Sequence, residues 1–145
     1  MSTRNTAAAP AAAAGQDGAR LLRASLRVDG WGTAAFGVVM LAGGGWLSGP
    51  LGLPATWFVP IGIVMLAGGV ALGLIARRPR VQSGAAVAAI TANVLSGAVI
   101  LPLAVAGVLP LTNQGTAFMV VGALWVLTFA ALTAVGLRRA TAASR

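Results

Sequence analysis

Two polar side chains inside long apolar runs, Asp29 and Asn93, are the main candidates for chemistry in this sequence. The chain has no His and no Cys. It also has no Glu, Lys or Tyr. Most general bases, covalent nucleophiles and metal ligands are therefore missing. We predict no catalytic, metal or cofactor site, and we expect that the protein is not an enzyme.

Asp29 is the only acidic residue beyond Asp17, and it lies where the first apolar run begins. One interpretation is a site for a proton or a cation. The alternative is an interfacial carboxylate at the inner edge of a span, paired with Arg23, Arg27 or an arginine of the middle loop. A central position costs a carboxylate about 2.5–3.5 kcal/mol on insertion scales. The sequence favours the interfacial alternative, because an edge position avoids most of that cost.

Asn93 lies about nine residues into the third apolar run, roughly 13 Å along a helix. Lipid offers its amide no hydrogen-bond partner, so we expect this side chain to face the bundle. Thr33, Thr91 and Ser96 are candidate neighbours. The amide either lines a path for a substrate or ion, or forms an interhelical hydrogen bond worth about 0.6–2 kcal/mol. The second interpretation is favoured.

The composition indicates that lipid, rather than water, surrounds the elements that carry these residues. Of the 145 residues, 58% are hydrophobic and 8% are charged. Soluble domains carry about 25% charged residues. Four apolar runs, over residues 28–47, 57–76, 85–108 and 117–137, are each long enough to cross a bilayer. They predict an all-α integral membrane protein, with four transmembrane helices in an antiparallel bundle.

Two tails flank this transmembrane domain. Residues 1–27 form a basic tail in which Thr6–Gly15 is predicted to be disordered or weakly helical. The part from Asp17 onward is either an amphipathic helix on the membrane or an extension of the first span, and the sequence does not separate these. Residues 138–145 form a second, short basic tail.

The arginines predict the orientation of the chain. They account for all ten basic residues, and they lie in the two tails and in the middle loop, where Arg77, Arg78 and Arg80 act as a topology anchor. The first and third loops carry no charge. The positive-inside rule then places both termini and the middle loop in the cytoplasm. Basic residues that are all Arg, with abundant Ala and Gly, are typical of a high-GC bacterium, so we expect the plasma (inner) membrane.

An internal repeat is predicted from self-alignment of the sequence. The offset that aligns Pro50-Leu51 with Pro110-Leu111 also aligns the following residues: Thr56 with Thr116, Phe58 with Phe118, Gly62 with Gly122, and Arg78 with Arg138. Each repeat would be one helical hairpin, with Thr56 and Thr116 capping the returning helices.

These observations leave two functional classes open. Small size, faces of small residues and missing chemical groups favour a non-enzymatic assembly or accessory protein that acts through helix packing. The alternative is a small oligomeric transporter or channel subunit that uses Asp29 and Asn93. Expected partners are anionic inner-leaflet lipid headgroups and a second copy or another membrane protein. Nucleic-acid binding is not expected, although the net charge is +8, because the arginines lie in short clusters between apolar runs.

Overall fold

Four long helices make up nearly all of the computed structural model, which describes residues 5–143 and, for side chains, residues 12–143. They are α1 (Asn5–Leu51), α2 (Phe58–Arg77), α3 (Ser83–Val105) and α4 (Asn113–Ala142), and a 3-10 turn over Ala55–Trp57 precedes α2. All four are long and apolar enough to cross a membrane. The chain is thus a multi-pass, all-helical membrane protein in the described part, as the four apolar runs predict.

Helix α1 is much longer than the predicted first span. Its 47 residues correspond to about 70 Å, more than twice the thickness of a hydrocarbon core. The helix is continuous from Thr6–Gly15, the segment predicted to be disordered or weakly helical, into the span, so the basic tail extends the first helix. Residues 1–4 of that tail lie outside the described residues.

The extension of α1 packs along the end of α4. A Cβ atom at Gly18 would lie 2.5 Å from the backbone nitrogen of Ala140, and one at Gly136 would lie 2.6 Å from that of Leu22. Both positions therefore need glycine for the two backbones to approach. This contact supports the helical conformation of α1 before the first span.

The turns at the uncharged end of the bundle are held by backbone geometry. Gly52 has a φ of +70°, which suits glycine, and follows the end of α1. Thr112 caps α4 by accepting a hydrogen bond of 3.0 Å from the Gly115 amide. The predicted capping by Thr56 and Thr116 is wrong: Thr56 lies within the 3-10 turn, and Thr116 lies in the first turn of α4. Each helix begins a few residues from the threonine that the repeat suggested.

Close backbone contacts join α1 to α2. A Cβ atom at Gly69 would lie 2.5 Å from the Ala34 nitrogen and 2.6 Å from the Gly30 oxygen. One at Gly37 would lie 2.7 Å from the Leu66 nitrogen. Such approach is typical of membrane helices that pack on small residues.

The helices are arranged in the order α2, α1, α4, α3, so α1 and α4 lie at the centre. Helices α2 and α3 are consecutive in the chain, yet they meet only near the loop that joins them. There Leu22 and Leu26 of α1 pack with Leu72, Ala76, Ala86 and Ala89. Beyond this cluster α2 and α3 are separated by an open groove.

Candidate functional site

A polar cluster around Asp29 lies in the interior of the bundle. The Asp29 side chain is fully buried. Its Oδ2 accepts a hydrogen bond of 2.6 Å from Asn93 Nδ2. Its Oδ1 accepts one of 3.1 Å from Trp125 Nε1 and one of 3.3 Å from Thr33 Oγ1. The carboxyl group thus joins α1, α3 and α4.

Local sequence positions each member of this cluster. Thr33 follows Asp29 by one helical turn on α1, so both side chains lie on the same face. Gly32 leaves room for the indole, because a Cβ atom there would lie 2.2 Å from Trp125 Cζ2. Asn93 lies ten residues after the start of α3 at Ser83, about 15 Å along the helix axis.

A second polar contact lies one turn below the carboxylate. Ser25 and Thr133 are buried, and their hydroxyl oxygens are 3.1 Å apart. Ser25 also donates to the Leu22 carbonyl oxygen at 3.0 Å, so Thr133 is the donor to Ser25. Ser25, Asp29 and Thr33 therefore form a polar ladder at four-residue spacing along α1, directed into the bundle.

The structure brings together the two candidates that the sequence suggested separately. Asn93 faces the bundle, as expected, and its amide donates to Asp29. The expected arginine partners of Asp29 are replaced by neutral donors, and Arg23 Nη2 instead donates to the Pro79 carbonyl oxygen at 2.8 Å. That bond holds the middle loop against α1.

The indole of Trp125 was not predicted as a donor to the carboxyl group. The signals available were a tryptophan in the middle of a span and the four-residue ladder on α1. Neither signal identifies which helix faces which. The contact depends on α1 and α4 being neighbours, which the chain order alone does not reveal.

The open space between α2 and α3 forms a concave surface beside this cluster. This α2–α3 groove has a volume of about 840 Å³. Its walls include the small residues Gly68 and Ala71 of α2 and Ala88, Ala92 and Ser96 of α3. Asn93 and Thr33, which both contact Asp29, also line the groove. The polar cluster therefore borders a surface that opens to the surroundings of the protein.

Arg77, Arg78 and Arg80, the predicted topology anchor, are exposed at the end of α2 and in the loop that follows. Within the described residues, no three His, Cys, Asp or Glu side chains come together as a metal site would require. The arrangement can accept hydrogen bonds from a donor group, hold a proton on the carboxyl group, and pack another apolar segment.

Comparisons with protein-family models, with curated proteins and with solved structures give no match.

Proposed function

We propose that the protein is a non-enzymatic assembly protein of the bacterial plasma membrane, and that its α2–α3 groove receives a transmembrane helix of a partner membrane protein. Both termini and the middle loop lie in the cytoplasm. The observation that carries the proposal is the separation of α2 from α3 in a chain whose other neighbouring helices pack closely.

The size and shape of the groove fit a helix. Residues from Pro60 to Ile75 of α2 line it, together with Trp57 of the preceding 3-10 turn, and the helical part corresponds to about 23 Å. A transmembrane helix crosses a hydrocarbon core of roughly 30 Å. The groove is concave, so it complements one convex helix better than it complements a second copy of the same groove.

The chemistry of the walls also favours a helix over lipid chains. Small residues such as Gly68, Ala71 and Ala92 let a second backbone approach closely, and acyl chains gain nothing from that. Asn93 and Ser96 add polar groups that lipid cannot satisfy. A helix with a polar side chain at this level would satisfy them.

The proposed orientation rests on charge. Arginines end the spans at one side of the bundle, and the turns after α1 and α3 carry no charge. Trp46 and Trp57, which are 67% and 45% exposed, lie at the uncharged side, where an aromatic belt is expected. A reporter that is active only in the cytoplasm is expected to be active when it is fused after Arg78. Activity at that position of a reporter that works only in the periplasm would refute the orientation.

Duplication of a helical hairpin remains part of the proposal. Gly37 of α1 packs against Leu66 of α2, and its counterpart Gly97 of α3 packs against Leu127 of α4. The two contacts agree to within one residue of the repeat offset. An experimental structure in which residues 37–78 and 97–138 do not superpose as one hairpin would contradict duplication.

Photocrosslinking in native membranes tests the assembly function. A photoreactive residue at position 92, inside the groove, is expected to give one discrete adduct with another protein. The same residue at position 95 is the control, since Leu95 is 60% exposed on α3 and lies outside the groove. In the Gly68→Leu variant the adduct from position 92 is expected to disappear, because the new side chain fills open space in the groove.

Three results would contradict this function. Equal adducts from positions 92 and 95 would show no preferred partner. Lipid adducts alone at position 92 would show that acyl chains fill the groove. An adduct between two copies of the chain would show that the groove binds a second copy rather than a different protein.

A second candidate function, transport or conduction by an oligomer, is favoured by one observation. Asp29 is buried in the span with neutral partners, and Asn93 links it to the groove. Buried ionisable residues in membrane proteins often mark ion or proton paths. Proton or cation flux in proteoliposomes that is abolished by Asp29→Asn would support transport. An absence of such flux with the unmodified protein would exclude this candidate.

A further inference from the structure

A second concave surface lies on the opposite side of α2, at the arginine-rich end of the bundle. This α1–α2 cleft has a volume of about 400 Å³. Arg27 of α1 and Arg77 of α2 line it together with Trp31. It is separate from the α2–α3 groove, and no residue lines both.

The two guanidinium groups bring uncompensated positive charge to this cleft. The chain contains two acidic residues, and these are Asp17 and Asp29. Asp29 is fully buried among neutral partners, and Asp17 lies ten residues before Arg27, about 15 Å away along α1. Like charges from two neighbouring helices at one cleft are stabilised by an anion between them.

Below the arginines the cleft becomes an apolar trench. Gly69, Gly73 and Arg77 follow one another at four-residue spacing on α2, so about 12 Å of helix leads from the charge into the membrane. Gly73 faces open space, since no atom lies within 4 Å of the position that its Cβ would take. At Gly69 the backbones of α1 and α2 are in close contact, so the trench is formed by the missing side chain of Gly73 rather than by parted helices.

Trp31 completes the arrangement at the rim. Its side chain is 71% exposed, and it lies one turn from Arg27 on α1. An indole at this level is typical of the interface between headgroups and acyl chains. The order along the cleft is therefore charge, indole and apolar trench.

We propose that the α1–α2 cleft binds an anionic phospholipid of the bilayer, with its phosphate between Arg27 and Arg77 and one acyl chain in the trench beside Gly73. A soluble phosphate would use the arginines and have no need of the trench. A zwitterionic lipid would bring its own cation to a doubly positive cleft. The chemistry of an anionic diacyl lipid matches both parts of the site, whichever leaflet faces the cytoplasm.

Native mass spectrometry of the full chain in mild detergent tests the proposal, with phosphatidylglycerol and phosphatidylcholine of equal chain length as probes. Phosphatidylglycerol is expected to bind more tightly, by about tenfold or more, since each arginine near an anionic headgroup contributes about a factor of five. The double variant Arg27→Gln/Arg77→Gln should abolish this preference. The matched control Arg80→Gln removes an exposed loop arginine outside the cleft and should retain it.

The trench is tested without changing charge. Gly73→Leu should lower the affinity for phosphatidylglycerol by about tenfold, because its side chain occupies the place of the acyl chain. Gly45→Leu is the control, since Gly45 also faces open space and lines neither the groove nor the cleft. Inorganic phosphate at millimolar concentration should not displace the lipid.

The proposal is overturned if the unmodified protein binds both lipids equally. It is also overturned if Arg80→Gln weakens binding as much as the double variant, which would indicate general charge attraction. A soluble anion would be identified as the ligand if inorganic phosphate displaced phosphatidylglycerol and the Gly73→Leu variant bound phosphatidylglycerol as tightly as the unmodified protein. Comparison of the two lipids on the unmodified chain does not depend on the folding of any variant.

Discussion

The hydrogen bond between Asp29 and Asn93 is predicted to be the strongest single polar contact between helices in the described part of the chain. Its donor and acceptor are 2.6 Å apart. A hydrogen bond to a charged group contributes about 1.5–3 kcal/mol, against about 0.5–1.5 kcal/mol for one between neutral groups. Interhelical hydrogen bonds in membranes average about 0.6 kcal/mol. We therefore expect a coupling energy of about 2 kcal/mol for this pair.

A double-mutant cycle with Asp29→Ala and Asn93→Ala measures that coupling. The unfolding free energies of the four proteins would be determined in bicelles, where the helices stay in a membrane environment. The matched control is the cycle of Ser25→Ala and Thr133→Val. Those two hydroxyl groups are neutral, buried and 3.1 Å apart, and their coupling is expected to be about 0.6 kcal/mol.

The difference between the two coupling energies does not depend on the absolute unfolding free energies. If the pair on α1 and α3 couples by no more than the neutral pair on α1 and α4, the carboxyl group does not hold the bundle together. The short contact would then contribute no more than an ordinary neutral hydrogen bond, and the cluster would lose its assigned structural role. A coupling near 2 kcal/mol would establish that α3 is held to α1 through Asp29.

Two further predictions use neighbouring positions as their own controls. Gly69→Val should destabilise the protein by about 1–3 kcal/mol, because its Cβ would lie 2.5 Å from the Ala34 nitrogen. Gly68→Val should leave the unfolding free energy nearly unchanged, because no atom lies within 4 Å of its Cβ position. If both variants lowered the unfolding free energy in bicelles by the same amount, the described packing of α1 on α2 would be contradicted. Thr112→Ala should cost about 1 kcal/mol through loss of the cap on α4, whereas Thr116→Ala should cost less. If Thr116→Ala lowered the unfolding free energy more than Thr112→Ala in the same assay, Thr116 would be the capping residue, as the repeat predicted.

The four spans could be predicted because each is specified within its own segment. Long apolar runs bounded by Pro, Gly and Arg are local signals, and α2 begins and ends within one residue of the predicted range. The length of α1 could not be predicted in the same way. Its extension is helical beside α4, where Gly18 and Gly136 allow close contact, and that contact joins opposite ends of the chain.

Two members of the candidate site were predictable, but Trp125 and the contacts were not. A polar residue inside a span must find a partner in the protein, which singled out Asn93, and Asp29 stood out as the only acidic residue beyond Asp17. Which residue each would meet depends on the order of helices around the bundle. Arginines close in sequence to Asp29 were reasonable partners, yet the carboxyl group faces inward while Arg27 faces the α1–α2 cleft.

The α2–α3 groove is the feature that the sequence predicts least well. Helices joined by a short loop usually pack together, yet α2 and α3 meet only near their loop. Leu22 and Leu26 of α1 instead pack with both helices near the loop, and α4 takes the place beside α1. Small residues such as Ala92 were visible as a smooth face, but the sequence does not specify what faces them.

The most direct test of the proposed assembly function is the composition of the complex that leaves the membrane with this chain. Native mass spectrometry after extraction in mild detergent is predicted to show one copy of the chain bound to a second membrane protein. Gly68→Leu should release that protein, and Gly45→Leu, outside the groove, should retain it. A chain that is alone or self-associated in all three samples would contradict the proposed function.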